Sequence, residues 1–392
     1  MIAVVADDLT GAAELGGIGL RYNLKVEINA VVNPQSRADL LIISTNTRSK
    51  PKAEAVQDMV KVTKELLQLR PTFIFKKVDS VLRGHVLAEM EAQLQVLQVQ
   101  RALLVPANPA LGRVLSNGEY LVQGQPIHET SFSHDPEFPV STSSVAGMLG
   151  AGRHPLYVQQ HQAALPAAGI VVGEATNTAD LQAWAKLTDN KTFAAGASGF
   201  FTALLDKLFP AAAAPPTAAT GSFGSSALYV SGTTFGKSRE TIQEVKENGG
   251  PVCYMPAAIA RAATPTPAAY TAWSQEIVSC LQVSGKAIIA IAAETTTGTA
   301  VSAEDLRKKT AKVVQLVFAQ TDLQELVLEG GATAFAILKE LNFQEFYPIR
   351  ELAPGVIRMQ VGAKSTLCLT LKPGSYAWGS DIWNFSSEKA KV

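Results

Sequence analysis

The stretch Lys76-Lys77-Val78-Asp79-Ser80-Val81-Leu82-Arg83-Gly84 follows directly after the apolar run Phe73-Ile74-Phe75. A buried strand is predicted here, and the polar residues behind it fall at the carboxyl edge of a sheet, where open α/β folds bind their ligands. An arginine fork can hold a carboxylate with two hydrogen bonds, and lysine adds a mobile point charge. The stretch therefore favours a site for an anionic small molecule over a surface turn of solvated charges.

Size and charge narrow the class of protein. At 392 residues the chain is longer than one typical core requires, so two domains are expected. Basic and acidic residues balance at 34 each, which gives no reason to expect nucleic acid or a membrane surface as partner. The chain opens on an apolar strand that leaves no room for a signal peptide, and no apolar run reaches bilayer length. A cytoplasmic protein is expected.

The cysteines and histidines lack metal-ligand spacing. Cys253, Cys280 and Cys368 form no CxxC pattern, and the five histidines form no HxxxH or HxH pattern. Buried free thiols and no metal site built from protein side chains are therefore expected.

Alternating strands and helices organise the chain, which is typical of parallel sheets covered on both faces. Residues 106–145 are predicted to be an irregular loop that serves as a lid or substrate wall. A segment rich in Ala, Pro, Gly and Ser predicts a linker at 210–226 between domains at 1–209 and 227–392. The expected fold is thus two α/β domains with largely parallel sheets and the active site in the interdomain cleft. Strands are predicted at 2–6, 40–44, 73–78, 102–105, 169–172, 191–195, 227–230, 252–255, 287–292, 326–329 and 367–371, and helices at 12–21, 53–69 and 86–97.

Other strand ends in the first domain carry similar polar groups. Asp7-Asp8-Leu9-Thr10-Gly11 follows the first strand, and its paired carboxylates can orient hydroxyl groups or accept a proton. A phosphatase of the haloacid dehalogenase type would need a second aspartate two positions after the first, and that spacing is absent. Asn46-Thr47-Arg48 and the segment 105–113 end two further strands. Their convergence favours one anionic-ligand pocket.

Small-residue turns dominate the second domain. Ser231-Gly232-Thr233-Thr234-Phe235-Gly236-Lys237-Ser238 resembles a P-loop, but three residues instead of four separate its glycines, so a true P-loop is rejected. A small-residue turn into a helix can still bind phosphate through its N–H groups. The segments 329–334 and 372–376 have the same character. This arrangement is kinase-like, with a nucleotide on the second domain and its acceptor on the first.

The ordered set of these motifs resembles the four-carbon acid sugar kinase family over nearly the whole chain. That family is associated with ATP-dependent phosphorylation of threonate, erythronate or 3-oxo-tetronate on the terminal hydroxyl. The resemblance implies a substrate-binding first domain and a nucleotide-binding second domain. The motifs that carry it are Ala6-Asp7-Asp8-Leu9-Thr10-Gly11-Ala12, Lys77-Val78-Asp79-Ser80-x-Leu82-Arg83-Gly84, Pro106-Ala107-Asn108-Pro109-x-x-Gly112-Arg113, Val230-Ser231-Gly232, Gly330-Gly331-x-Thr333-Ala334 and Lys372-Pro373-Gly374.

Carried over residue by residue, the resemblance implies two sets of binding residues. Those for the sugar acid are Asp8, Arg48, Asp79, Ser80, Leu82 and Arg83. Those for ATP are Ser231, Gly330, Gly331, Ala332, Thr333 and Gly374. Ala332 departs from the acidic or polar residue frequent in the family, and the loop 374–379 is bulkier than usual.

The sequence thus predicts a kinase that uses ATP with Mg²⁺ bridging the phosphates. Arg48 or Arg83 would hold the substrate carboxylate, Lys77 would face the transferring phosphoryl group, and Asp79, ahead of Asp8, would accept the hydroxyl proton. Closure across the linker would exclude water. The alternative is a sensor that binds a sugar acid or nucleotide without turnover. A homodimer is left open.

Overall fold

A parallel sheet organises the first of two units, Met1–Pro216 and Thr217–Val392. In this computed structural model, which describes residues 1–135, 137–210, 223–232, 236–292, 301–374 and 382–385, the strands of that sheet follow the order β2-β3-β1-β4-β11-β5-β10-β9. Residues 211–222 of the predicted linker lie outside the described residues, so the linker stays a prediction.

The elements of the first unit match most of the predicted ones within a few residues. Its strands are β1 (Ile2–Ala6), β2 (Val26–Asn29), β3 (Leu40–Ser44), β4 (Ile74–Lys77), β5 (Arg101–Val105), β6 (Arg113–Ser116), β7 (Glu119–Val122), β8 (Gln125–Pro126), β9 (Leu156–Gln159), β10 (Gly169–Gly173) and β11 (Thr192–Gly196). Its α-helices are α1 (Leu9–Arg21), α2 (Lys52–Gln68), α3 (Val86–Leu97), α4 (Val145–Leu149), α5 (Thr178–Leu187) and α6 (Ser198–Leu208).

Continuous apolar runs place the central strands in the core. All residues of β1 and β3 are buried, as are the inner residues of β5 and β10. Helix α2 turns its apolar stripe, including Met59 and Leu66, onto the same core. Burial on both faces is the normal environment of a parallel sheet, and it fixes where each strand ends.

The prediction of an irregular loop at 106–145 was wrong. This segment contains a three-stranded antiparallel sheet in the order β6-β7-β8, followed by short 3-10 helices. Two-residue turns join its strands, at Asn117-Gly118 and Gln123-Gly124, and all four residues have positive φ angles. Such turns match the twist of paired strands, and Asn-Gly is the preferred pair for them.

The second unit has a mixed sheet with the order β13-β14-β12-β15-β18-β17-β16. The strands from β13 to β18 in that order are parallel, whereas β17 is antiparallel to both of its neighbours. Its elements are β12 (Ala227–Ser231), α7 (Gly236–Glu247), β13 (Val252–Tyr254), α8 (Ala257–Ala260), α9 (Pro267–Ser284), β14 (Lys286–Ala290), α10 (Ala303–Phe318), β15 (Glu325–Glu329), α11 (Gly331–Glu340), β16 (Glu345–Ala353), β17 (Val356–Val361) and β18 (Cys368–Lys372).

All three cysteines are free thiols, but only Cys253 is fully buried, whereas Cys280 and Cys368 are partly exposed. Within the described ranges, no helix combines the length and apolar character that crossing a bilayer requires.

Candidate functional site

The polar segments of the first unit meet at one edge of its sheet. Strands β3, β1 and β4 are neighbours, and their last residues pair in register, Ala6 with Ser44 and Ala6 with Lys77. The chain leaves all three strands at the same level, so the segments that follow them lie side by side. We call the resulting group the Asp–Arg cluster. It consists of Asp7, Asp8, Arg48, Asp79 and Arg83.

Arg48 lies at the centre of the Asp–Arg cluster. Its Nε and Nη2 donate to the two carboxylate oxygens of Asp7, each at 2.9 Å, and its Nη1 donates to Asp8 at 3.1 Å. Asp79 lies 3.6 Å from the same guanidinium group. Burial alone would lower the pKa of Arg48, but these carboxylates outweigh it and raise the pKa well above its usual value. Arg48 is therefore a fixed cation.

Asp79 and Arg83 form a second tight pair. The backbone N–H, Nε and Nη2 of Arg83 donate to Asp79 at 3.1, 2.8 and 2.9 Å, while Nη1 donates to Asp135 at 2.9 Å. Leu82 adopts a left-handed φ of 62°, and a Cβ at Gly84 would lie 3.0 Å from the Arg48 side chain. The backbone is thus bent so that Arg83 folds back onto Asp79.

Both candidate proton acceptors are held in the ionised state. Burial would raise the pKa of Asp79, but Arg83 and Arg48 lower it well below its usual range. Asp8 caps α1 by accepting the N–H of Gly11 at 2.9 Å, and against the effect of burial Arg48 and Lys77 lower its pKa as well. Carboxylates with lowered pKa values are weak bases, but because they stay ionised they accept charge-assisted hydrogen bonds. Asp8 and Asp79 are therefore better suited to orienting a hydroxyl group than to removing its proton at the start of a reaction.

Lys77 is buried beside these carboxylates. Its Nζ donates to the backbone carbonyl of Val78 at 2.9 Å and lies 3.7 Å from Glu14 on α1. The structure therefore brings every sugar-acid residue implied by the sequence to one edge, with Ser80 and Leu82 between Asp79 and Arg83.

Sequence reasoning missed several residues at this edge. Arg113 at the start of β6 donates to Ser80 Oγ at 2.5 Å, and both Arg113 and Arg83 lie over the ring of Phe132. Asp135 pairs with Arg83 as described above. Phe132 and Asp135 come from the segment that was expected to be irregular, and no spacing in the sequence connects them to β4. Only Arg113 carried a signal, because it ends a quoted motif.

A second polar group lies at the carboxyl edge of the second sheet. Ser231, Glu329 and Lys372 end the neighbouring strands β12, β15 and β18 and pair in register. Glu329 accepts hydrogen bonds from Ser231 Oγ at 3.0 Å, Ser238 Oγ at 2.6 Å and Lys372 Nζ at 2.5 Å. We call these four residues the Glu–Lys cluster. Burial lowers the pKa of Lys372, although Glu329 opposes the shift.

The nucleotide-binding residues implied by the sequence surround the Glu–Lys cluster. Gly330 is the N-cap of α11, whose first turn contains Gly331, Ala332 and Thr333. A Cβ at Gly232 would collide with the Thr333 side chain, so the turn after β12 passes close to this helix start. Gly374 follows β18 one residue after Pro373. The bulky loop after Gly374 lies outside the described residues.

No group of three or more His, Cys, Asp or Glu side chains in the described parts of the chain is arranged to hold a metal ion. Asp7, Asp8, Asp79 and Glu329 are each paired with arginine or lysine instead.

Two domain models of known protein families match separate parts of the chain. The model of a sugar-binding N-terminal domain matches residues 2–204, and the model of a nucleotide-binding C-terminal domain matches residues 228–376. A D-threonate kinase of Salmonella typhimurium is 33% identical over 149 residues, which cover 37% of this chain and 35% of that protein. A D-erythronate kinase of Heliobacterium modesticaldum is 31% identical over 156 residues, 38% of this chain and 36% of that protein.

Both of those matches span only a little over a third of the relatives' length. A solved structure of a Haemophilus influenzae protein superposes with a TM-score of 0.71 over 98% of both chains, at 19% identity. The structural likeness shows that the fold is shared along the whole chain.

Proposed function

The chain belongs to the four-carbon acid sugar kinase family, and from that membership we propose that it transfers a phosphoryl group from ATP to the terminal hydroxyl of a four-carbon acid sugar. One observation carries the proposal. The region matched by the sugar-binding model contains the Asp–Arg cluster, and the region matched by the nucleotide-binding model contains the small-residue turns around the Glu–Lys cluster. Threonate, erythronate and 3-oxo-tetronate are the proposed acceptors.

The Asp–Arg cluster is proposed to bind the acceptor. A four-carbon acid sugar presents several hydroxyl donors, and ionised Asp8 and Asp79 are acceptors whose charge is maintained by partly buried arginines. Ser80 adds a hydroxyl, and Leu82 fixes the turn that carries Arg83. Because both carboxylates already have partners that hold them in place, substrate binding needs little rearrangement of the site.

The turns of the second unit are proposed to bind ATP. The N–H groups at the start of α11, at Gly331, Ala332 and Thr333, suit a nucleotide phosphate, and Ser231 and Gly374 flank them. This mode of binding needs no excess of basic residues. The buried Glu329–Lys372 pair would keep the strand ends that carry these turns in register.

Phosphoryl transfer requires mainly alignment and charge neutralisation, and little proton removal in a loose transition state. Lys77 is proposed to face the transferred phosphoryl group, and Asp79 or Asp8 to orient the hydroxyl and receive its proton. Mg²⁺, which neutralises phosphate charge in such reactions, would be held by the nucleotide and water, because the carboxylates of both clusters are already paired with cations.

The test is an ADP-release assay with threonate, erythronate and 3-oxo-tetronate, with the phosphorylated position read from ³¹P-coupled NMR of the product. Asp8→Asn should abolish turnover, whereas Asp58→Asn, which alters a partly exposed ion pair with Lys50, should not. ADP release with none of the three acids would refute the kinase. Thermal stabilisation by an acid without turnover would favour the alternative of a sensor.

A further inference from the structure

The two arginines first considered for the substrate carboxylate already form ion pairs with aspartates of the protein. Arg48 uses Nε, Nη1 and Nη2 on Asp7 and Asp8, and Arg83 uses the same three nitrogens on Asp79 and Asp135. A ligand carboxylate that took Arg48 would leave Asp7 without its counter-ion, and one that took Arg83 would leave Asp79 with only its 3.6 Å contact to Arg48. Weakening or removing the ion pair of a buried carboxylate in this way is strongly unfavourable.

Arg113 is a third arginine at the same edge, and it is differently placed. It is half-buried, its Nη1 donates to Ser80 Oγ at 2.5 Å, and its guanidinium carbon lies 5.6 Å from the centre of the Phe132 ring. Among the residues that the structure describes, no carboxylate forms an ion pair with it. Within the same residues, a single one of its five N–H donors, on Nη1, is used in a hydrogen bond.

The position of Arg113 is fixed by its backbone. Asn108 and Arg113 exchange both backbone N–H···O bonds, at 2.8 and 3.1 Å, and the Asn108 side chain donates to Ser198 at 2.9 Å. The aromatic face of Phe132 supports the guanidinium plane without occupying its hydrogen-bonding edge. A preorganised fork beside Ser80 and without a counter-ion has the chemistry of a carboxylate receptor.

We propose that Arg113 binds the carboxylate of the acceptor and sets the preference for an acid over a neutral sugar alcohol. The inference rests on the proposed sugar-acid kinase function and assigns one end of its substrate. With the carboxylate held at Arg113 and Ser80, the hydroxyl-bearing carbons extend along the Asp–Arg cluster. Arg48 and Arg83 then act by holding the aspartates ionised.

The test compares wild type with Arg113→Met, Arg113→Lys and the control Arg37→Lys. Arg37 is an exposed arginine before the amino end of β3, at the opposite edge of the sheet. Steady-state kinetics are measured with the four-carbon acid and with the corresponding four-carbon alditol, which has a hydroxymethyl group in place of the carboxylate. Calorimetry measures binding of the acid in the absence of nucleotide, and circular dichroism verifies folding.

Arg113→Met should lower kcat/KM for the acid by about 100-fold, mainly through KM, because a charge-assisted bidentate contact is lost. Activity with the alditol and KM for ATP should change by less than about 3-fold, and Arg113→Lys should recover part of the acid affinity because it restores the charge without the fork. Equal losses with acid and alditol, or an unchanged affinity for the acid, would overturn the proposal.

The outcomes also separate this inference from the kinase proposal. If the wild type binds the acid without turnover, the kinase proposal is refuted. Calorimetry on Arg113→Met then still decides whether Arg113 binds the carboxylate. If the wild type phosphorylates the acid and Arg113→Met keeps the same kcat/KM, only the proposed role of Arg113 is refuted. If the wild type neither binds nor phosphorylates any four-carbon acid, both proposals are refuted.

Discussion

Replacing Asp79 by asparagine should destabilise the first unit measurably. The substitution keeps the shape of the side chain but removes a charge that accepts three hydrogen bonds from Arg83 and lies 3.6 Å from Arg48. The Asp79 side chain is 9% exposed and that of Arg83 is 26% exposed, so solvent screens the pair only partly. Breaking a buried pair typically costs about 3–5 kcal/mol.

The expected cost lies at or below the lower end of that range. Arg83 keeps its bond to Asp135, and Arg48 keeps Asp7 and Asp8, so neither arginine is left without a counter-ion. We expect a loss of about 2–3 kcal/mol in the free energy of unfolding. For a unit of this size that corresponds to a fall in Tm of about 4–12 °C.

The pH dependence of the loss has a definite sign. Arg83 and Arg48 hold the pKa of Asp79 below its unfolded value, so its contribution to stability is fully present above the unfolded pKa of about 3.9. That contribution is lost as the pH falls through the region between the unfolded and folded pKa values. The difference in stability between wild type and Asp79→Asn should thus be constant from pH 7 to 5 and narrow below pH 4.

Thermal and urea unfolding followed by circular dichroism at pH 7, 5 and 3.5 provide the measurement. Asp58→Asn is the matched control, because the same substitution there removes a 2.6 Å ion pair with Lys50 whose side chains are 33% and 36% exposed. It should cost less than about 1 kcal/mol. The reasoning would be refuted if the two variants lost equal stability, or if the deficit of Asp79→Asn grew as the pH fell.

Three further predictions address the two clusters. Gly11→Ala would put a Cβ 2.7 Å from Asp8 Oδ1 and 3.1 Å from Lys77 Nζ, so steady-state kinetics should show kcat/KM for the acid reduced about 10-fold or more with KM for ATP unchanged. Glu329→Gln should cost about 3 kcal/mol or more in unfolding experiments, because Lys372 stays buried without its counter-ion, and calorimetry should show weakened nucleotide binding with acid binding retained. In hydrogen exchange with mass spectrometry, a non-hydrolysable ATP analogue should protect amides of the Glu–Lys cluster, and a four-carbon acid those of the Asp–Arg cluster; the reverse pattern would exchange the two ligand assignments.

The sequence predicted the buried parallel strands well because their signal is local. Strands β1 and β3 are continuous apolar runs that end where polar residues begin, and both have the predicted bounds. Helix α3 was also predicted at its observed bounds. Burial on both faces excludes polar residues from such strands, so composition alone locates them.

The strands that were missed carry polar residues or depend on turns. Strand β2 contains Glu27 and Asn29, and the hairpin of β16 and β17 includes Pro348 and a change of register beside it. In β6 and β7 the usable signal was the Asn117-Gly118 turn, which was read as part of an irregular loop. Antiparallel strands at a partly solvated position alternate weakly, so their turns are better evidence than their composition.

The site shows a similar limit. The sequence identified which strand ends carry charged groups, since register and topology bring those ends together. It left open which charges face a ligand, because that depends on pairing across 41 residues between Arg48 and Asp7 and 52 residues between Asp135 and Arg83. Such pairs are made by loops, whose paths have no periodic signal.

Charge balance within the folded site indicates which of its charged residues can bind a ligand, which the sequence pattern alone does not show. A buried cluster must nearly neutralise itself, because an unpaired ion in a site of low dielectric is strongly unfavourable. The number of arginines at a strand end therefore overstates how many can bind an anionic ligand. The arginine expected to bind the ligand is the one that has no carboxylate partner within the described residues. At this edge Arg48 and Arg83 have their carboxylates, while Arg113 has a serine hydroxyl and an aromatic ring. The same reasoning applies to the proposed nucleotide site of the second unit, because Glu329 neutralises Lys372 and the proposed phosphate donors are the backbone N–H groups at the start of α11.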